Sequence, residues 1–161
     1  MALNESLNFA SASGDVKEAF LGVPDKVYLR PGTKLYKWTE YPLEGGDSIT
    51  PWWSYVIQTT LPSGRVAEGF RTSEERALRL GVHHREYQKA REAVSGKFRN
   101  SLENLLLIEL TAEVWGFAGP AAGQPKFENP NLANVYLIGG KCQLWIPSLT
   151  MAHLHEIPAV G

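Results

Sequence analysis

Apolar and polar positions change rhythm several times along the chain, and each rhythm names an element. Val27-Tyr28-Leu29-Arg30 reads as a strand, Pro31-Gly32-Thr33 as a turn, and Lys34-Leu35-Tyr36-Lys37-Trp38-Thr39 as a second strand. A polar, glycine-containing loop follows over 40–50. Pro51 suits the first turn of a short helix beginning at Trp52, while the β-branched run Val56 to Thr60 reads equally well as a strand. Leu80, His83, Tyr87, Ala90 and Val94 recur at steps of three and four, which predicts a helix over about 73–94. Thr72 and Glu75 have capping-box spacing at its start, and Gly81 is a point where it can break.

The last third returns to a strand pattern. Residues 105–110 are apolar at nearly every position, which fits a central strand or one buried on both faces. Residues 114–119 follow, then a long loop over 120–130. Val135-Tyr136-Leu137-Ile138 and Cys142-Gln143-Leu144-Trp145-Ile146 flank a glycine turn, Gly139-Gly140-Lys141, suited to a hairpin. Alternation puts Gln143 and Trp145 on one face of that strand and Cys142, Leu144 and Ile146 on the other. At the other end, Asp15 caps a short helix over 16–21, and residues 1–15 read as a flexible arm. The expected architecture is a single α+β domain over 16–161. Its core is a mixed, mostly antiparallel sheet with one long helix packed on it.

Composition narrows the classes. The chain has 161 residues, 43% of them hydrophobic, which is enough for one domain with a real core. Sixteen basic and 17 acidic residues nearly cancel, so no nucleic-acid partner is expected. No apolar run is long enough to span a bilayer, and no membrane partner is expected. The opening residues lack a basic start and a continuous apolar stretch. The expected location is cytoplasmic, or delivery without a cleavable signal peptide.

Candidate chemistry is sparse. Cys142 stands alone inside an apolar strand and reads as a small hydrophobe. His83 and His84 would point about 100° apart on a helix, His153 and His155 would share a face if that segment were extended, and no HExxH or CxxC motif is present, so no metal site is expected. Five tryptophans are many for this length. The pair Trp52-Trp53, on a proline-containing loop, suits either a ligand wall or an exposed protein-interface anchor. A sugar-stacking surface using Trp38, Trp52 or Trp53 is a third reading. Gln143, held on a buried strand, must bond neighbouring backbone or read a ligand.

Two stretches together carry a family resemblance: Gly32-Thr33-Lys34-Leu35-Tyr36-Lys37, and Leu137-Ile138-Gly139-Gly140-Lys141-Cys142-Gln143-Leu144-Trp145-Ile146-Pro147. They resemble the first and last core motifs of ADP-ribosyltransferase-like and NAD-glycohydrolase toxin domains. The resemblance implies an effector or toxin domain with NAD as substrate. It makes Lys37 or Arg30 the cation on the NAD phosphates, and Thr50, Trp52, Trp53 and Ser54 the nicotinamide pocket. Gln143 becomes the catalytic residue of the last strand. It also implies a target protein or a cognate inhibitor protein as a partner. The chain departs from the pattern in three places. Lys37 stands where an arginine is common, the Ser-Thr-Ser triplet is missing, and Gln143 replaces the usual acid. The alternative is a non-catalytic interaction module built on an exposed Trp pair.

Overall fold

The computed structural model describes residues 2–39, 50–81, 104–122, 124–125, 136–137 and 141–158. Seven strands form one sheet: β1 (Asp25–Leu29), β2 (Lys34–Thr39), β3 (Trp52–Tyr55), β6 (Asn104–Leu110), β7 (Val114–Pro120), β10 (Cys142–Trp145) and β11 (Leu154–Ile157). Their order is β1-β7-β10-β3-β2-β6-β11, and every neighbouring pair is antiparallel. Two short ribbons lie outside it: β4 (Thr59–Thr60) with β5 (Val66–Ala67), and β8 (Gln124–Pro125) with β9 (Tyr136–Leu137). Among the described residues the α-helices are α1 (Gly14–Ala19) and α2 (Phe70–Arg79). The class is α+β, in one small domain. Among the described residues no helix is long and apolar enough to cross a membrane.

The sheet rolls about one face. β1 and β2 are joined by the tight Pro31-Gly32 turn, closed by Thr33 N donating to Arg30 O at 3.1 Å. Yet they stand four strand spacings apart in the sheet order, roughly 19 Å if it were flat. A four-residue turn cannot span that, so the sheet curls until the end of β1 meets the start of β2. The turn is then bolted to the end of β6, where Gly32 N donates to Leu110 O at 2.7 Å and Leu110 N donates to Thr33 O at 2.9 Å. All seven strands send side chains into the common core, among them Leu29, Leu35, Trp53, Ile108, Val114, Leu144 and Leu154.

Several elements differ from the sequence pattern. Trp52–Tyr55 is a strand rather than the first turn of a helix, because β10 and β2 pair with its two edges. The expected glycine hairpin does not form: β10 has both edges taken by β7 and β3, and β9 pairs with β8 instead. Ser13, not Asp15, caps α1, its hydroxyl accepting from Val16 N. The segment expected as a loose arm is docked on the sheet. Leu3 bridges Val114, and the Asn4 amide donates to Trp115 O at 3.1 Å and Pro147 O at 2.7 Å.

The long helix is not what the described residues show. α2 begins at Phe70 with Gly69 as its N-cap, where a Cβ would lie 2.6 Å from Val56 O. It ends at Arg79, and Gly81 follows with φ +70°, a left-handed conformation that glycine adopts without steric cost. Its inward face is Ser73 and Ala77, and Leu80 is exposed at the helix end. The rest of the expected helix, including Tyr87 and Val94, lies outside the described residues.

β6 has unequal faces. Leu106, Ile108 and Leu110 are buried in the core, whereas Leu105, Leu107 and Glu109 are half-buried on the other side. Replacing Ile108 with Ala should therefore cost about 2–5 kcal/mol, and Leu107→Ala at most about half of that. Urea unfolding of both variants checks this. Equal losses would show that both faces of β6 are packed alike.

Candidate functional site

The two faces of β10 and β3 are set by alternation from the core. Leu144 pairs with Trp53, and both point inward. Gln143 and Trp145 on β10, Lys141 just before it, and Trp52 and Ser54 on β3 therefore share the outer face. Tyr36 of β2 pairs with Ser54 and joins them. Continuing the Leu144–Trp53 register by one residue sets Gln143 opposite Ser54. Gln143, Ser54 and Tyr36 thus form a row across three adjacent strands.

This outer strip is covered from two sides. Residues 3–20 lie over its aromatic end, where Phe9, Phe20, Phe117, Trp145 and Trp52 cluster. Phe20 meets Trp52 with ring centroids 5.6 Å apart, and Phe9 meets Trp145 edge-on at 6.4 Å. α2 covers the other end, with Phe70 edge-on to Tyr36 at 4.9 Å. Its start is braced by Glu68, which accepts from Ser73 Oγ at 2.7 Å and pairs with Arg76 at 2.8 Å.

Gln143, Lys141 and Ser54 within the strip are hydrogen-bonded, as burial demands. Gln143 Nε2 donates to Ala19 O at 2.8 Å. That carbonyl closes α1 and also accepts from Ala122 N at 2.9 Å. Gln143 Oε1 accepts nothing from a described residue. Lys141, only 3% exposed, donates to Ser54 Oγ at 3.3 Å, with its ammonium 5.4 Å from the centre of the Tyr36 ring. An ammonium, a hydroxyl, a phenol and an amide thus lie side by side, buried under the two covering segments.

The structure divides the expected site residues between two faces. Trp52, Ser54 and Gln143 come together on the outer face. Lys37, Thr50 and Trp53 gather on the other: the Lys37 ammonium lies 4.0 Å from the Trp53 ring centre and donates to Thr50 O at 2.9 Å and to Thr50 Oγ1. Arg30 joins neither group; it is exposed in the β1–β2 turn, at the opposite end of β2 from Lys37. The expected exposed Trp52-Trp53 pair is not formed. Trp53 is 2% exposed in the core, and Trp52 is half-buried among aromatics, because consecutive strand residues face opposite ways.

Sequence reasoning gave no role to Tyr36 or Lys141. Counting back two residues from Gln143 was a signal for Lys141; for Tyr36 the strand pairing had to be known. His83 and His84 lie outside the described residues. His153 Nδ1 accepts from Thr150 N at 3.0 Å, and His155 pairs with Glu109 at 3.1 Å. Among the described residues no three His, Cys, Asp or Glu side chains come together as a metal site. Comparison of the chain with protein-family models, with curated proteins and with solved structures finds no match.

On the inner side of β10, burial raises the Cys142 thiol above its ordinary pKa of 9.0, against the opposing pull of Lys141. Burial likewise pushes the Tyr55 phenol well above 10.0. Both groups release their protons more readily in the unfolded chain, which then binds fewer protons than the folded one. Stability from these two groups is therefore intact near neutrality and falls as pH climbs past about 9. The urea midpoint of wild type should drop between pH about 8 and about 10, and that of Cys142→Ala should drop less. Identical pH dependence in the two proteins would show that Cys142 makes no contribution.

Proposed function

We propose that the chain is an NAD-consuming domain of the ADP-ribosyltransferase-like kind, cleaving the nicotinamide–ribose bond. One observation carries this reading. The strands bearing the motifs of the resemblance are far apart in sequence, yet β2, β3 and β10 are consecutive neighbours in the sheet. Ser54 and Gln143, one from each of the last two, fall beside each other on one face with Trp52.

The chemistry follows from those groups. Breaking the bond gives a transition state with cationic character at the ribose, while nicotinamide leaves as a neutral molecule. The protein must hold the leaving ring, fix the ribose hydroxyls and keep the reacting carbon exposed to a nucleophile. The Trp52 face stacks the ring, and the Gln143 amide donates to and accepts from ribose oxygens. An amide cannot take a proton at neutral pH, so Gln143 orients the ribose rather than acting as a base. Water supplies the new bond to the ribose carbon and loses a proton to solvent, giving ADP-ribose and free nicotinamide. Transfer to a target protein differs only in the nucleophile. A domain that depletes NAD would act as a toxin or effector and would call for a cognate inhibitor protein. Neither Lys37, on the opposite face, nor Arg30, in the turn, lies beside Gln143, so neither is assigned to the diphosphate.

Incubation with NAD should release nicotinamide. Gln143→Ala should lower that rate about a hundredfold. It should cost only about 1 kcal/mol of stability, because Ala19 O keeps its bond from Ala122 N. Wild-type protein that releases no nicotinamide overturns the reading. Wild-type turnover with Gln143→Ala folded and fully active removes Gln143 from the site.

A further inference from the structure

We infer that residues 3–20 hold the domain in a closed state by occupying the nicotinamide–ribose site with groups of the chain itself. The inference rests on the reading above and concerns the regulation of that site. Two consecutive residues of the segment carry it. Ala19 presents a carbonyl oxygen to Gln143 Nε2 at 2.8 Å, and Phe20 lays an aromatic ring against Trp52 at 5.6 Å. An oxygen acceptor beside a flat aromatic ring is the pairing that the ribose and nicotinamide of NAD would bring to the same two side chains. Chain and ligand cannot both be there. The Phe20 ring is 4% exposed and Gln143 is 8% exposed, so the ligand reaches them only when this segment lifts.

The segment is held at both ends and along its length. At its start it is fastened by polar ties, the Asn4 amide to Trp115 O and Pro147 O, and the Lys26 ammonium to Glu5 O. At its end Gly22, with φ +83°, follows Phe20 and the exposed Leu21. Between them the contact with the sheet is aromatic and apolar through Leu7, Phe9, Val16 and Phe20, joined at its end by Ala19 O, which accepts from Gln143 Nε2 and Ala122 N, and by a bridge from Phe20 to Ala121. Removing the Phe20 ring while keeping an apolar side chain should shift the balance toward the open state.

The full chain and Phe20→Leu test this, with nicotinamide release and amide hydrogen exchange as readouts. Phe20→Leu should release nicotinamide about two- to tenfold faster than wild type, the equivalent of one aromatic pair. In wild type, saturating nicotinamide should speed hydrogen exchange across 3–20. If wild type releases nicotinamide, Phe20→Leu is no faster and exchange over 3–20 is unchanged by nicotinamide, the segment is a fixed part of the fold and the inference is overturned while the reading stands. Should Phe20→Leu fail to fold, the wild-type exchange experiment decides alone. No release by either protein overturns the reading, and the inference with it.

Discussion

A strand covered on both sides must satisfy two environments with alternate residues, and β3 and β10 are built on that constraint. Their inner residues, Trp53, Tyr55 and Leu144, complete the apolar core of the rolled sheet. Their outer residues, Ser54, Gln143 and Trp145, are equally buried but under different cover. Polar side chains can be kept there only with partners, and the fold supplies them from α1, from Lys141 and from neighbouring backbone. A slip of β10 by one residue would drive the Gln143 amide into the core and Leu144 into the polar strip. Pairing on both edges, with β7 and β3, holds the register against that.

Much of this was legible in local pattern, and the limits are physical. The two faces of β10 followed from alternation, and β1, β2, β6 and β7 followed from apolar content and turn residues. Which strands are neighbours did not follow, since pairing is decided by packing across the whole chain. The glycine turn at 139–141 is a good local hairpin signal, yet β10 is claimed by β7 and β3. The helical stripe through Leu80 is another case. A period of 3.6 fits several frames, and the frame that packs is Ser73 and Ala77, two small residues that let α2 lie close. Leu3, Leu7 and Phe9 have no period at all, because an irregular segment docks wherever the sheet surface offers a place.

The candidate site shows the same boundary. Gln143, Ser54 and Trp52 were each named from sequence, and their common face required only knowledge of which strands meet. Lys37 and Trp53 were named with them, but the alternation that unites the first three sends these two to the opposite side. Lys141 looked like part of a turn. With β10 in place it becomes a buried cation beside Ser54, held in an aromatic and hydroxyl-lined setting where an ammonium is stabilised by ring electrons as well as by oxygen.

The docking of residues 3–20 has a consequence for how the protein comes into being. These residues leave the ribosome before the strands that receive them, and they carry the rings of Phe9 and Phe20. The surface that receives them includes Phe117 and Trp145, and the tie to Asn4 comes from Pro147, 143 positions later. Until Phe117 and Trp145 have been made, those rings have nowhere to settle. Contacts between such distant parts of a chain form slowly, since a long loop must close first. Residues 3–20 can therefore dock only after the strands that receive them have been made. Until they do, the nascent domain shows an unsheltered aromatic patch to its surroundings, a hazard for association with other unfinished chains.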